Sequence, residues 1–419
     1  MTIKSAIQSI RVWGLKGAIA YAKRWPTLHR LRTSDRKATK RPQKGITLIG
    51  PFSSHSGNSQ TMRNFARMLD LVGIPFQTFD MNDHPTIPKK DYVSIVTPRC
   101  DFDLGRYDHV IEMFSSHAPK SPNRTHSLMM FWEFESGLQF AFPDVASGMP
   151  ILAMSDFNAR YIRTILPESV PVLKIRHPLM LSDIEVAETS KIRQKYRIPH
   201  DAFMVFFNFD YGSSYFRKNP EAVLMAFAKA FPTRENAVLV LKTSNAAKNP
   251  ATSQRLHNLA CQLSLDSTHL VLVDGPIPQV DMWGLFNACD TYISLHRGEG
   301  FGIGMAEAMS FAKPVIATGY SANTEFCRPD TSIPIPYRLV PPKPEEIDLN
   351  VYSRVDKWAE PDVDVAAEAL TRCYIDPQFR ASIGTAGYSF IREYFSPANF
   401  KRDVEAFLES NYSPASYLQ

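Results

Sequence analysis

The sequence predicts an α/β protein of two successive parallel-sheet domains, and three observations carry that prediction. The chain has 419 residues, enough for two domains of about 150–200 residues each. Two runs, one from Gly45 and one from Phe203, alternate short apolar strand-length segments with helix-patterned ones. The composition is that of a globular chain, 44% hydrophobic and 21% charged, which excludes a disordered or fibrous protein.

The elements follow in order. Residues 1–44 carry twelve Lys or Arg against one acid, Asp35, so this arm holds +11 and the rest of the +5 chain holds −6. Ile3, Ile7, Ile10, Trp13 and Tyr21 recur at helical spacing among Lys4, Arg11, Lys16, Lys23 and Arg24, a basic amphipathic helix over 3–25. It has three readings: a helix on an anionic membrane surface through residues 1–32, a helix packed on the protein's own N-terminal domain, or an Arg-rich transit peptide. Nucleic-acid binding through the arm is a further reading, and nucleic acid is not the expected partner. No run of 18 apolar residues exists, and the five cysteines are scattered. A reducing cytoplasm is therefore expected, with the arm able to hold the protein on the inner face of the plasma membrane.

Ile46–Ile49 reads as a strand and Pro51–Ser59 as a polar loop. Met62, Phe65, Ala66 and Leu69 mark a helix that stops at Gly73, and Pro75–Asp80 is the next strand. Further strands are expected at 92–97, 109–114, 127–132 and 151–155, with a domain boundary near 176–200. The second run has strands at 203–210, 237–242, 269–273, 291–295 and 314–318. Residues 328–361 hold seven prolines and read as an irregular excursion. Helices over 363–375, 378–394 and 396–410 close the chain. The expected division is an arm at 1–44, domains at 45–185 and 186–395, and a final helix from 396 to 419. Two such domains in succession place a ligand in the cleft between them, at the carboxyl ends of the strands.

Two segments carry the chemistry. Between the strands at 291–295 and 314–318 lies a loop with Gly298, Gly300, Gly302 and Gly304, which opens a helix from about Gly304. Its glycines permit close backbone approach and its helix start offers N–H groups to an anion. Glu299 is in the loop, and Glu307 is placed in the first helical turn, from which it leans back toward the loop. A carboxylate there can accept both hydrogen bonds of a ribose cis-diol, or it can simply oppose the helix dipole. In the second segment, 207–231, Asn219 reads as an N-cap and Pro220 as the first residue of a helix. Arg217 and Lys218 stand just before it, a diphosphate site or a surface basic pair. Asp101-Phe102-Asp103 and Asp362-Val363-Asp364 both fit an Asp-x-Asp metal pattern, which is cheap enough to read as surface loop twice. No HExxH pattern occurs.

The segment 291–318 resembles the Glu-x7-Glu motif of the retaining glycosyltransferases of family 4 (group 1), which share the two-domain twin-Rossmann fold called GT-B. Leu239–Asn245, Thr318–Phe326 and Trp358–Ala367 are similar to the same family. The resemblance implies two Rossmann-like domains facing across a cleft, with the C-terminal helix crossing back onto the first. It implies a hexosyltransferase that moves a sugar from a nucleotide diphosphate to a glycan or lipid-linked acceptor with retention, with no cofactor and no metal. Arg217 and Lys218 would then hold the diphosphate, Glu307 the ribose and Glu299 the donor-sugar hydroxyls. The turn Phe301, Gly302 and Ile303 would line the donor. Gly57, in the loop Ser53–Ser59, would abut its phosphate. Lys242 would be a further cation there or a structural one. His296 borders the loop and could contact donor or acceptor, and Glu133 could meet the acceptor or simply end its strand. Such an enzyme fits cell-surface polysaccharide or lipopolysaccharide synthesis. A catalytically silent sugar-nucleotide or glycan-binding subunit, and a sugar-nucleotide epimerase on the same fold, are the alternatives.

Overall fold

β1 (Gln43–Gly50) begins the first sheet because Ile46, Leu48 and Ile49 are apolar on both faces, and all three are buried. The computed structural model describes Leu31 and residues 42–410, apart from 83–84, 88–91, 93, 99–100, 115–117, 122, 142–144, 146–147, 181–184, 234–235 and 349–351. The amphipathic helix expected over 3–25 lies outside the described residues. Leu31, the part of the arm before residue 42 that is described, is buried with Ile49, Phe79 and Leu104. The chain divides into two compact units. One comprises Met1–Met180, Asn350–Arg354 and Phe395–Gln419, and the other Leu181–Leu349 and Val355–Tyr394.

In the first unit β1 is followed by α1 (Gly57–Leu71), β2 (Phe76–Asp80), β3 (Tyr107–Met113), β4 (Thr125–Met130), α2 (Leu138–Ala141), β5 (Ile151–Ala153), α3 (Asp156–Ile165) and β6 (Val172–Lys174). The sheet order is β2-β1-β3-β4-β5-β6, all parallel. The strand expected at 92–97 is not one. The described residues there form turns, with the Ile95 and Val96 N–H groups both bonded to Tyr92 O. Thr97 instead meets the edge strand β2 through side chains: Thr78 N–H donates to Thr97 Oγ1 at 3.0 Å and Thr97 N–H to Thr78 Oγ1 at 2.8 Å. A β-branched apolar run here covers a sheet edge without extending the ladder.

The second unit runs α4 (Thr189–Lys195), β7 (Phe203–Asp210), α5 (Tyr215–Lys218), α6 (Pro220–Ala230), β8 (Ala237–Ser244), α7 (Pro250–Gln262), β9 (Leu270–Asp274), α8 (Gln279–Ala288), β10 (Thr291–Ser294), α9 (Ile303–Ser310), β11 (Val315–Thr318) and β12 (Ile333–Ile335). It continues through β13 (Tyr337–Val340), β14 (Trp358–Pro361), α10 (Val363–Ile375) and α11 (Pro377–Tyr394). Its main sheet, β12-β11-β10-β7-β8-β9, is again parallel. The proline-rich excursion is more regular than its composition implies. Pro334 sits in β12 at the sheet edge, where a missing N–H costs no ladder bond. β13 and β14 pair antiparallel, Tyr337 opposite Pro361 and Val340 opposite Trp358, so this proline too stands at a strand end.

α12 (Pro397–Glu409) belongs to the first unit. Its Phe400, Val404 and Phe407 are buried in the first core, and Phe400 meets Phe65 of α1 edge-on at 5.1 Å. Arg176 seals the return, its Nη1 on Asp403 Oδ1 at 2.6 Å and its backbone N–H on Oδ2 at 3.1 Å. Among the described residues no helix is long and apolar enough to cross a membrane.

Candidate active site

The site in the second unit is built where β7 ends. Asp210 accepts the Gly212 N–H at 2.8 Å, and the chain turns through 211–213 to Ser214, whose φ of +68° is costly for a residue with a Cβ. Ser214 Oγ accepts the Arg217 N–H at 3.3 Å and so starts the single turn α5 that carries Arg217 and Lys218. Asn219 does not cap the next helix with its side chain. Pro220 disfavours right-handed helical backbone at the residue before it, so Asn219 adopts φ +53°, ψ +51°. Its amide donates instead to Leu295 O at 3.0 Å, tying the turn to the end of β10.

Arg217 is buried, 3% exposed, and donates to Gly298 O at 2.7 Å and to Ser213 O at 2.8 Å. Lys218 Nζ is hydrogen-bonded to Glu299 Oε1, and Arg217 Nη1 lies 3.8 Å from the same oxygen. Glu299 itself is 8% exposed. Burial alone would raise its carboxyl; the charges of Lys218 and Arg217 outweigh that and hold it down to about 2. Glu299 is clamped from its other side by Ser321, which accepts the Glu299 N–H at 2.8 Å and donates to Glu299 O. Ser321 pays for this with φ +80°, ψ −157°, a region that glycine alone adopts without strain.

Glu307 is one residue further into its helix than the sequence placed it. Gly302, at φ +100°, starts α9 at Ile303, so Glu307 is the fifth helical residue and the first turn holds no acid. Burial raises the Tyr292 hydroxyl well above the usual phenol range, and the charges of Glu299 and Glu307 both add to it. Tyr292 donates to Asn208 Oδ1 at 2.8 Å, and Gly304 makes room for the pair: a Cβ there would lie 2.5 Å from the hydroxyl and 2.7 Å from the amide oxygen.

The remaining candidates divide. Phe301 turns inward onto Phe326, with ring centroids 5.1 Å apart, and Ile303 is half-buried at the start of α9. His296 is fully buried, with Nδ1 3.1 Å from Ser294 Oγ and Nε2 3.1 Å from Asn323 Oδ1 and 3.3 Å from Tyr320 O. Burial lowers its pKa, and both nitrogens serve the protein. Lys242 is likewise consumed internally, donating to Thr243 O and Gly275 O at 2.7 Å each, with burial lowering its pKa. In the first unit Gly57 opens α1 as an exposed residue, behind an N-cap in which Ser56 Oγ accepts the Ser59 N–H at 3.2 Å. Glu133 follows β4, and its carboxylate accepts the Tyr352 hydroxyl at 3.4 Å. The structure thus brings Arg217, Lys218 and Glu299 into one ionic cluster, sets Glu307 on the helix that follows the Glu299 loop, and gives His296, Phe301 and Lys242 internal partners. Sequence reasoning missed Ser214 and Ser321, whose only signal is their place at loop corners, and Tyr292, which reads as an ordinary strand residue.

Residues 188–343 match the family described as Glycosyl transferases group 1. No curated protein matches the sequence. Solved structures similar to the chain include Anabaena Alr3699/HepE in complex with UDP and glucose, at 14% identity, covering 88% of this chain and 100% of that one, TM-score 0.61. A glycosyltransferase from Rickettsia africae ESF-5 gives 14% identity, 88% and 100% coverage, and TM-score 0.61. Sucrose-phosphate synthase from Thermosynechococcus elongatus gives 14% identity, 87% and 98% coverage, and TM-score 0.62. The fold is the twin Rossmann-like GT-B α/β fold, and the segment similar to group 1 contains the whole Arg217–Lys218–Glu299–Glu307 constellation.

The electrostatics of Glu299 give a measurable sign. Its carboxyl is lower in the folded chain than in the unfolded one, so its contribution is present above the unfolded value near about 4.3 and is lost as pH falls through about 2. Glu299→Gln should therefore flatten the acid limb of the stability–pH profile between about pH 5 and pH 2, read as urea midpoints against wild type.

Proposed function

We propose that the protein is a glycosyltransferase that takes a sugar from a nucleoside diphosphate and passes it to a glycan or lipid-linked acceptor with retention. One observation carries the reading: two cations, one buried and one half-buried, converge on a buried carboxylate in the segment similar to group 1 glycosyl transferases. Arg217 and Lys218 meet at one carboxylate in that segment, and a diphosphate is a ligand class whose oxygens such paired cations hold through charge-assisted bonds. The Anabaena relative was crystallised with UDP and glucose, which supports the ligand class.

The chemistry follows from the placement. The bond from the anomeric carbon to the β-phosphate oxygen breaks as the acceptor oxygen bonds to that carbon, and the acceptor proton passes to the departing phosphate. Negative charge grows on that phosphate, and Arg217 and Lys218 are the groups aimed at it. Lys218 is hydrogen-bonded to Glu299; a diphosphate competes for the ammonium and frees the carboxylate for donor-sugar hydroxyls. Glu307 takes the ribose diol. Protein cations supply the charge that a divalent metal supplies elsewhere. The basic arm, residues 1–32, draws the protein to an anionic inner membrane face, where polysaccharide or lipopolysaccharide acceptors are assembled.

Arg217→Ala should cut turnover of the preferred nucleotide sugar by about 10²–10³-fold, as loss of a charge-stabilising donor does. Glu307→Ala should mainly raise the donor KM, and EDTA should leave the rate unchanged. Wild-type rates in both variants, or abolition by EDTA, would contradict the assignment. Deleting residues 2–30 should release the protein from vesicles containing anionic lipid in a flotation assay, and undiminished binding would remove the membrane role.

A further inference from the structure

The excursion at 328–361 contributes nothing to the chemistry above, yet its acids point at the donor turn. Asp348 Oδ2 accepts the Tyr215 N–H at 2.8 Å, at the first residue of α5. Glu360 of β14 holds Arg297 Nε at 2.6 Å, and Glu346 lies 3.6 Å from its Nη1. The Arg297 guanidinium sits over the Trp358 ring at 4.7 Å, and Ala359 N–H donates to Arg297 O at 3.0 Å. Arg297 is therefore fixed on three sides by this one excursion.

Its fourth side is the donor turn. Arg297 N–H donates to Arg217 O at 2.8 Å, and Arg297 Nη1 donates to Phe216 O at 3.1 Å. In return Arg217 Nη1 reaches Gly298 O at 2.7 Å, one residue beyond Arg297. Arg297 thus laces the turn bearing Arg217 and Lys218 to the loop bearing Glu299, two residues further on.

We propose that Arg297 is a positioning residue for phosphate departure: it fixes Arg217 and Lys218 against Glu299 without touching substrate. The inference rests on the reading of that cluster as the diphosphate site. Arginine suits the position because its planar fork serves Glu360 and Phe216 O while its face stacks on Trp358, three demands that a lysine ammonium cannot meet together. Misplacing a charged donor by about 1 Å costs more where charge develops than where it is already present, so the effect falls on kcat.

The test measures release of nucleoside diphosphate from whichever UDP-, GDP-, ADP- or dTDP-sugar the wild type turns over, with kcat and KM separated. Arg297→Ala should lower kcat by about 10–100-fold and change the donor KM by less than about threefold. Arg297→Lys should restore part of the loss. Arg297→Ala combined with Arg217→Ala should be no slower than Arg217→Ala alone, because the two act through one group. If Arg297→Ala does not fold, Glu360→Gln, which loosens one anchor at constant shape, should lower kcat several-fold with KM held. An unchanged kcat in the folded variants, or a double variant slowed by the product of the two effects, overturns the inference and leaves the diphosphate site standing. A wild type that neither turns over any of these sugars nor binds UDP, GDP, ADP or dTDP overturns both.

Discussion

A buried carboxylate held by a buried arginine and a half-buried lysine is the constraint on which the second unit is arranged. The charges of Lys218 and Arg217 keep Glu299 ionised at its depth, and Glu299 in turn offsets the charge of the buried Arg217. Breaking a buried pair of this kind by removing one member costs about 3–5 kcal/mol, whereas an apolar replacement of the whole cluster costs little. Stability alone therefore gives no reason to keep three charges there. A site that must receive a polyanion gives one, since its cations have to be in place and desolvated before the ligand arrives.

The backbone around the cluster bears the strain of that arrangement. Ser214 and Ser321 both take positive φ, and each spends its hydroxyl on the residue that matters: Ser214 on the Arg217 N–H, Ser321 on both backbone groups of Glu299. Such backbone costs about 1–3 kcal/mol per residue and persists only where surrounding contacts over-determine it. His296, Asn323 and the Thr318 carbonyl supply some of those contacts. The imidazole meets Asn323 Oδ1 at 3.1 Å, and Asn323 Nδ2 meets Thr318 O at 2.9 Å. The histidine is thus a strut for the loop that clamps Glu299.

Much of this was legible in the sequence, for identifiable reasons. Strands such as Phe203–Asp210 and Ala237–Ser244 are buried on both faces and announce themselves as apolar runs, while helices such as Val363–Ile375 carry a cap at Asp362 and a periodic face. Glu299 and Glu307 stood out through the resemblance of 291–318 to the Glu-x7-Glu motif, and Arg217 and Lys218 by their place before Pro220. What failed was decided by neighbours in space. The 92–97 run has strand composition but meets β2 through threonine side chains. Asn219 has the right identity for a cap, but its amide is taken by Leu295 O. The proline-rich excursion hides a strand pair because its prolines occupy edges and ends. Lys242 and His296 carried two readings in sequence, ligand-facing or structural, and each has hydrogen-bond partners within the protein.

The most direct measurement compares nucleosides with their diphosphates by calorimetry on the intact chain. The account predicts that uridine, guanosine, adenosine or thymidine binds at least about 10²-fold more weakly than its diphosphate, because the diphosphate carries the charge-assisted bonds. It further predicts that the gap closes when Lys218 is replaced by alanine. Equal affinity for nucleoside and diphosphate, or a gap that survives loss of Lys218, would contradict the claim that this buried cluster grips the phosphates.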